Sequence, residues 1–375
     1  MKYAATSLMI CVAALLSLGL VMLFSSSMRN TETASYPVMQ AVWCGLGLVA
    51  AMVVAAIDYR RLRKFSWVLY TVAIILLALV LVSGIGTKVN GAKRWLTLGR
   101  QSFQPSELAK IALIILLANY AERNQRFMRS FGRGLAGPGV FIGLVLVLIF
   151  LEPDWGTTLL TVGVCAVMLL VAGVRWPYLL APAAVGCLAL TVLLLNNPVR
   201  LKRVESWLDP EATREGVGYQ SWQGMVALGA GGTTGRGLGD SRQKYGYLPE
   251  HDTDFILGII GEELGLVGTL GVLLAFVGLV TCGLYIAWHA SDMFGLLLAT
   301  GLSFLIGLQA LINIGVVTGT FPNKGLPLPF ISRGGSNLFL TLVCVGLLLS
   351  VARHAVEPAK KMPAEFDELP VPQTN

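Results

Sequence analysis

The sequence is poor in charged residues, which make up only 13% of its 375 residues, while 55% are hydrophobic. A water-soluble domain carries about 25% charged residues. One soluble core cannot hide this much apolar surface. The composition therefore excludes an ordinary soluble protein and favours a chain that crosses a membrane several times.

The sequence also lacks cysteine motifs. Its six cysteines lie inside apolar runs, and none has CxxC or metal-ligand spacing. We interpret them as packing residues and expect neither a disulfide nor a zinc site. The net charge of +7 would suggest nucleic acid in a soluble protein. Here the basic residues flank apolar segments, so we expect no nucleic acid as a partner.

Repeated apolar runs predict an all-α polytopic membrane protein with about ten transmembrane helices. The membrane domain is predicted over 1–357, with a large loop, 197–255, between spans 7 and 8. The proline-containing tail 358–375 is predicted to be disordered. The predicted spans are 5–27, 38–58, 66–84, 104–120, 137–152, 156–173, 178–196, 256–286, 294–319 and 335–353.

Basic residues predict the orientation, because they accumulate in cytoplasmic loops. With the N-terminus inside, the cytoplasmic side holds 13 Lys and Arg residues and the short outer loops hold seven, including Arg29, Lys88 and Arg100. Both termini are then cytoplasmic. Function is expected in the outer segments, because loops on a rigid scaffold carry it. These segments are 85–106, 197–255 and 320–336.

Segment 85–106 places Lys93, Arg94 and Trp95 at the membrane edge. An interfacial tryptophan with snorkelling cations explains this pattern. An anion site beside a flat apolar platform is the other interpretation, and both stay open.

Ionisable residues also occur inside the predicted spans. Glu107 and Lys110 lie at i, i+3 on one helical face, and Asp154 lies in the motif LEPDWGTT. Charges at membrane depth are costly and are normally paired or lie in a wet cavity. We expect Lys110 to pair with Glu107 or Asp154, either to lock the packing or to serve function. Glu263 is interpreted as a partner for buried polar groups.

The long loop ends in a glycine-rich stretch, 229–237, followed by Arg242 and Lys244. A dinucleotide fingerprint needs a strand before it and a helix after it, and neither is predicted here. Glycine backbone can instead lie close against a ligand or a helix. Asp252 and Asp254 follow, just before span 8. A carboxylate here could serve as a general base, while Thr253 or Asp254 could instead serve as the N-cap of the helix, and the spacing does not decide between these interpretations.

Segment 320–336 contains three prolines, Lys324 and Arg333. The prolines favour a rigid, re-entrant path. With Arg94, Arg242 and Lys244, these cations form a predicted basic outer rim. Such a rim beside a carboxylate suits a doubly charged phosphate leaving group attached to a lipid.

Four ordered motifs resemble the SEDS family of peptidoglycan glycosyltransferases, whose members include FtsW and RodA. They are GAKRWLTLGRQSFQPSELAK (91–110), EPDWGTT (152–158), GLGDSRQKYGYLPEHDTDFILGIIGEELG (237–265) and FPNKGLPLPFISRGGS (321–336). The resemblance implies a SEDS-type bundle that polymerises lipid II, with Asp254 as the essential carboxylate. It also implies a class B penicillin-binding protein (a transpeptidase) and other divisome membrane proteins as partners.

The implied chemistry removes the proton from a sugar 4-hydroxyl and expels undecaprenyl pyrophosphate. Arg94, Trp95, Arg242, Lys244, Lys324 and Arg333 are the predicted substrate- or pyrophosphate-binding residues, and a divalent cation (Mg or Mn) could assist. Three positions depart from the family pattern: Asp252 replaces His, Arg333 replaces Tyr and Ala230 replaces Ser. Asp252 beside Asp254 also makes a metal site plausible.

The motifs look more like the division branch, FtsW, than the elongation branch, RodA. A lipid II flippase and a scaffold without activity of its own are the competing hypotheses, because paired intramembrane charges also suit a transport path. The outer location predicted for Asp254 favours chemistry after flipping.

Overall fold

A computed structural model describes residues 1–27, 35–82, 84–89, 92–98, 101–196 and 198–355. Arg29, Arg100 and the predicted tail 358–375 lie outside the described residues. The described chain is mostly helical, and its helices are α1 Lys2–Ser27, α2 Tyr36–Ala56, α3 Leu62–Leu81, α4 Pro105–Arg123, α5 Gly137–Leu151, α6 Trp155–Val171, α7 Trp176–Leu195, α8 Pro198–Leu208, α9 Tyr219–Ala230, α10 Ile256–Trp288, α11 Met293–Val317 and α12 Gly335–Arg353.

Each of the ten predicted spans coincides with one helix, from α1 to α7 and from α10 to α12. Within the described residues, seven helices are long and apolar enough to cross a membrane. α6 and the apolar part of α7 are shorter, and α4 carries the charges of Glu107 and Lys110. The protein is therefore a multi-pass membrane protein, and the count of ten spans stays a prediction.

The centre of the bundle is formed by α4, α11 and α12, whose side chains are buried on most sides. α2 packs along α12, and α1 and α11 pack against α10. α7 is exposed along most of its length. This arrangement fits apolar helices that face lipid at the edge of the bundle and close-packed neighbours at its centre.

A small antiparallel sheet lies between α3 and α4, where the all-α prediction had only a loop. Its strands are β1 Gly86–Val89, β2 Ala92–Leu98 and β3 Gln101–Phe103, in the order β1-β2-β3. Thr87 pairs with Trp95, and Leu96 pairs with Phe103. Two hairpins account for this order, since short turns join antiparallel strands. The sheet gives segment 85–106 a defined path.

Helix α10 is broken at Gly265, whose backbone has φ +68° and ψ −161°. The glycine-rich segment fills the break: Leu266 N donates to Gly232 O at 2.9 Å, and Arg236 N donates to Glu262 O at 3.0 Å. A Cβ on Gly265 would lie 2.3 Å from Gly235 N. Only glycine fits this approach and this positive φ. The glycine-rich segment thus packs against a helix, and the long span is broken.

Candidate functional site at the mouth of the bundle

The candidate site lies at one mouth of the bundle, where the segment before α10 meets the loop between α11 and α12. Asp254 lies just before α10. Phe255 occupies the N-cap position of that helix, and no side chain caps it there. Helix capping, the alternative interpretation of Asp254, is therefore wrong. Its carboxylate is available for another role.

Asn313 of α11 ties these two segments together. Its side-chain amide donates to Asp254 O at 2.8 Å and to Leu326 O at 2.7 Å. Asn313 is only 1% exposed, so these hydrogen bonds form away from water and fix the two segments firmly. A Cβ on Gly325 would lie 2.6 Å from Asp254 Oδ2. The glycine thus lets the loop lie directly against the carboxylate.

Burial and neighbouring charges act on the Asp254 carboxyl. Burial is the main cause that raises its pKa, to about 7, and Glu250 and Asp154 act in the same direction. Arg94 lowers the pKa, and Asp252 raises it slightly. Loss of hydration disfavours the charged form, as does a nearby negative charge. The carboxyl can therefore gain and lose a proton near neutral pH.

Lys324 supplies a cation to the same mouth. Its side chain is partly buried, and burial lowers its pKa, while the negative charge of Asp154 raises it. Asp154 thus acts electrostatically on both Lys324 and Asp254. We call Asp254, Asp154, Lys324 and Arg94 the mouth cluster. It combines a carboxylate of raised pKa with cations, which suits a proton transfer coupled to departure of an anion.

Arg94 of β2 is bound to the turn between α5 and α6. Its guanidinium donates to Glu152 O at 3.0 Å and to Pro153 O, and its Nη1 lies 3.7 Å from Asp154 Oδ2. The pairing of β1 with β2 is irregular here, because Lys88 pairs with Lys93 and Thr87 with Trp95, which leaves Arg94 as an extra residue between two paired ones. A bulge of this kind interrupts the regular alternation of side chains along a strand and can redirect one of them. The predicted binding role of Trp95 beside Arg94 stays a prediction.

Glu152 is a buried carboxyl that sequence reasoning left without a role. It is 0% exposed, and both side-chain oxygens lack a hydrogen-bond partner among the described residues. A buried group without partners favours the neutral form. The burial of Glu152 without partners therefore disfavours a negative charge on its side chain.

Asp252 and Arg333, two of the three departures from the family pattern, form an ion pair. Arg333 Nε lies 2.9 Å from Asp252 Oδ2. The pair commits an oxygen of Asp252 to a guanidinium, which disfavours a metal ion at Asp252. No cluster of three His, Cys, Asp or Glu residues that could hold a metal occurs in the part of the chain that the structure describes. The alternative metal role of Asp252 and Asp254 thus gains no support.

Lys244 and Glu263 form a buried ion pair. Lys244 Nζ lies 3.0 Å from Glu263 Oε1, and the lysine side chain is only 4% exposed. Ser25 also donates to Glu263, at 2.8 Å. Lys244 is therefore held inside the bundle, and its predicted contact with pyrophosphate has no geometric support. The side chain of Arg242 is exposed, and its backbone N donates to Glu262 at 3.1 Å.

Lys110 pairs with Glu107, one of its two predicted partners, at 2.9 Å. Glu107 accepts a further hydrogen bond from Asn337 of α12 at 2.9 Å. Lys110 also donates to Gln309 at 3.3 Å, and Gln309 donates to Pro327 O at 2.9 Å. The intramembrane pair is therefore connected by hydrogen bonds to the loop that contacts Asp254.

Gln309 and Asn313 are the important residues that sequence reasoning missed. They lie at i, i+4 on one face of α11, and both side chains hold main-chain oxygens of the loop between α11 and α12. A signal was present in the sequence. Two amides at helical spacing inside an otherwise apolar span are costly unless they have partners. The pattern predicts a polar face toward a non-helical segment.

The fold and the mouth cluster define a polytopic membrane protein with a carboxylate–cation site at one end of its bundle. A family model described as cell cycle protein, which covers FtsW, RodA and SpoVE, matches residues 5–357. The chain belongs to this family, the SEDS family, as its motifs predicted. It is FtsW-like in sequence, as the relatives below show.

Curated relatives match most of the chain. A probable peptidoglycan glycosyltransferase FtsW of Trichlorobacter lovleyi is 41% identical over 92% of this chain and 92% of its own length. Stage V sporulation protein E of Bacillus subtilis is 39% identical over 93% of this chain and 96% of its own length.

Solved structures share the fold. One belongs to a peptidoglycan synthase complex whose polymerisation and crosslinking are structurally coordinated. It matches with a TM-score of 0.80 and 32% identity, and the match covers 92% of this chain and 96% of that chain. The rod shape determining protein RodA of Thermus thermophilus has a TM-score of 0.71 and 30% identity, and covers 94% of this chain and 97% of its own.

Proposed function

We propose that the protein is a peptidoglycan glycosyltransferase that polymerises lipid II at the mouth cluster, with Asp254 as general base. The observation that most supports this role is the environment of Asp254. Its carboxyl lies outside the helix, its main chain is held by Asn313, and its pKa is raised to about 7. A base works best when its pKa lies near the operating pH and its position is fixed.

In the proposed reaction, Asp254 removes the proton from the sugar 4-hydroxyl of one lipid II molecule. That oxygen forms a bond to the anomeric carbon of the growing strand. The bond between this carbon and the pyrophosphate breaks, and undecaprenyl pyrophosphate leaves. Asp254 then releases its proton to water, which restores the base.

Cations are needed where the pyrophosphate gains negative charge. Lys324 and Arg94 are the proposed groups, because both act on carboxylates of the mouth cluster. Arg242, whose side chain is exposed, is proposed as a further contact with the pyrophosphate. A divalent cation that travels with the pyrophosphate stays a proposal, and we assign no residue of the chain to it.

We place the mouth cluster on the outer face of the bacterial cytoplasmic membrane, with both termini in the cytoplasm. The excess of basic residues in the opposite loops supports this orientation. A reporter that fluoresces only in the cytoplasm should be bright at the C-terminus and dark when inserted near Glu211. A bright signal near Glu211 contradicts the orientation.

We further propose a role in septal wall synthesis, with a class B penicillin-binding protein and other divisome membrane proteins as partners. Similarity to proteins named FtsW supports the division role, and a solved neighbour that belongs to a synthase complex supports the partner. Depletion of the protein should give long, undivided cells. Rounded cells would instead indicate elongation.

Polymerisation of lipid II by the purified protein tests the activity itself. Glycan product, with the penicillin-binding protein present, is the expected result. Movement of lipid II across proteoliposomes without product identifies a flippase. Absence of both glycan product and lipid movement identifies a scaffold.

A further inference from the structure

We propose that the ion pair between Asp252 and Arg333 is a positioning device for Asp254: it fixes the segment before α10 and cancels a negative charge beside the base. The inference rests on the proposed function of Asp254. Neither member of the pair needs to touch substrate for this role.

Three consecutive residues are tied to the loop between α11 and α12 or to α11 itself. Arg333 N donates to Asp252 O at 2.9 Å, in addition to the side-chain ion pair. Ser332 Oγ donates to Thr253 O, and Asn313 donates to Asp254 O at 2.8 Å. The base is thus the end of a short segment in which every residue is anchored. A fixed geometry of this kind is what proton transfer in a bound complex requires.

Helix α2 contacts Arg333 as well, through the ring of Tyr36. The guanidinium carbon of Arg333 lies 3.9 Å from the centre of the Tyr36 ring. Gln40 of the same helix donates to Ser332 O at 3.1 Å. A planar guanidinium can stack on an aromatic ring and bind a carboxylate at once. Arg333 therefore connects α2 to the segment that carries the base.

The electrostatic surroundings of Asp254 explain why Asp252 needs a partner. Glu250, Asp154 and Asp252 each raise the pKa of Asp254, and Arg94 lowers it. A negative Asp252 without its partner would add to the charges that already disfavour the ionised base. A neutral residue at position 252 would remove its contribution and so lower the pKa of Asp254. Arg333, whose Nε lies 2.9 Å from Asp252 Oδ2, is the cation placed to offset this charge.

The test is the pH dependence of lipid II polymerisation by the full-length protein in detergent, with its partner protein present. The midpoint is the pH at which the rate reaches half of its plateau value. Arg333→Gln should raise this midpoint and Asp252→Asn should lower it, each by roughly half a pH unit. The double variant should return to the wild-type midpoint. A purely structural role predicts lower rates without these opposite shifts.

Two further variants separate charge from packing. Arg333→Lys keeps the charge and should keep the wild-type midpoint. Tyr36→Leu removes the aromatic platform and should lower the plateau rate about threefold while leaving the midpoint in place. If Tyr36→Leu shifts the midpoint as far as Arg333→Gln does, displacement of the loop is the cause and the charge argument fails.

The outcomes also distinguish this inference from the proposed function. If the wild type forms glycan and neither single variant shifts the midpoint, the inference is wrong while the proposed function stands. Shifts in the same direction in both variants overturn it as well. Absence of glycan from the wild-type protein with its partner overturns the proposed function and, with it, this inference.

Discussion

Asn313 holds the main chain of Asp254: its amide nitrogen lies 2.8 Å from Asp254 O and 2.7 Å from Leu326 O. One buried side chain of α11 therefore sets the distance between the proposed base and the loop that carries Lys324. Gln309, one helical turn earlier, donates to Pro327 O of the same loop, so two amides of α11 hold it in place.

We expect Asn313→Ala to lower the rate of polymerisation more than the affinity for lipid II. Loss of the two hydrogen bonds leaves buried main-chain oxygens without a donor, at a cost of about 1–3 kcal/mol each. The base would then occupy its reactive position less often. Steady-state rates measured over a range of lipid II concentrations separate the two effects. Thr281→Ala, a change at an exposed hydroxyl that bonds its own helix, is the matched control.

Lys324→Ala should lower polymerisation about 10- to 150-fold, because a charge-assisted contact in a poorly hydrated site contributes roughly 1.5–3 kcal/mol. Membrane insertion should be unchanged. Lys88→Ala, at an exposed cation of β1, serves as control and should retain full activity. Equal activity of the two variants contradicts the role of Lys324 at the leaving group.

Lys110→Met should destabilise the bundle by about 3–5 kcal/mol, since it leaves Glu107 buried without its cation. Replacing both residues, as Lys110→Met with Glu107→Gln, should recover much of this loss. Thermal unfolding in detergent measures both effects. If the double variant is less stable than Lys110→Met alone, the ion pair does not act as a unit.

The rate of polymerisation should rise with pH and level off above neutrality. Burial raises the pKa of Asp254 to about 7, and the base acts only in its ionised form. The activity is therefore lost as the pH falls through about 7, and is present above it. A rate that stays constant between pH 5 and 8 would show that no group with this pKa limits the reaction.

The helices were largely predictable from the sequence, because apolar runs long enough to cross a bilayer leave few alternatives. The small sheet was not, since its strands are short and carry Lys88, Lys93 and Arg94 rather than a clear alternation. The break at Gly265 was also missed. Its cause lies in the contact with Gly235, about 30 residues away in sequence, as the two glycine positions show.

The site was predictable only in part. Asp254 and Lys324 were identified from motifs, and their common location depends on the loop between α11 and α12, whose prolines were visible in the sequence. The partners of Lys244 and Arg333 were not predictable, because an isolated charge does not indicate which distant carboxylate it meets. Lys244 finds Glu263 and Arg333 finds Asp252 only through the folded arrangement.

The most direct test of the account compares Asp254→Asn with Asp252→Asn in the lipid II polymerisation assay. Asn keeps the shape of the side chain and removes its basicity, and a positioned base contributes roughly 100- to 10,000-fold. Asp254→Asn should insert and fold normally and make almost no glycan, while Asp252→Asn should keep substantial activity. Glycan synthesis by Asp254→Asn at close to the wild-type rate, with Asp252→Asn inactive, would contradict the account and reverse the assignment of the base.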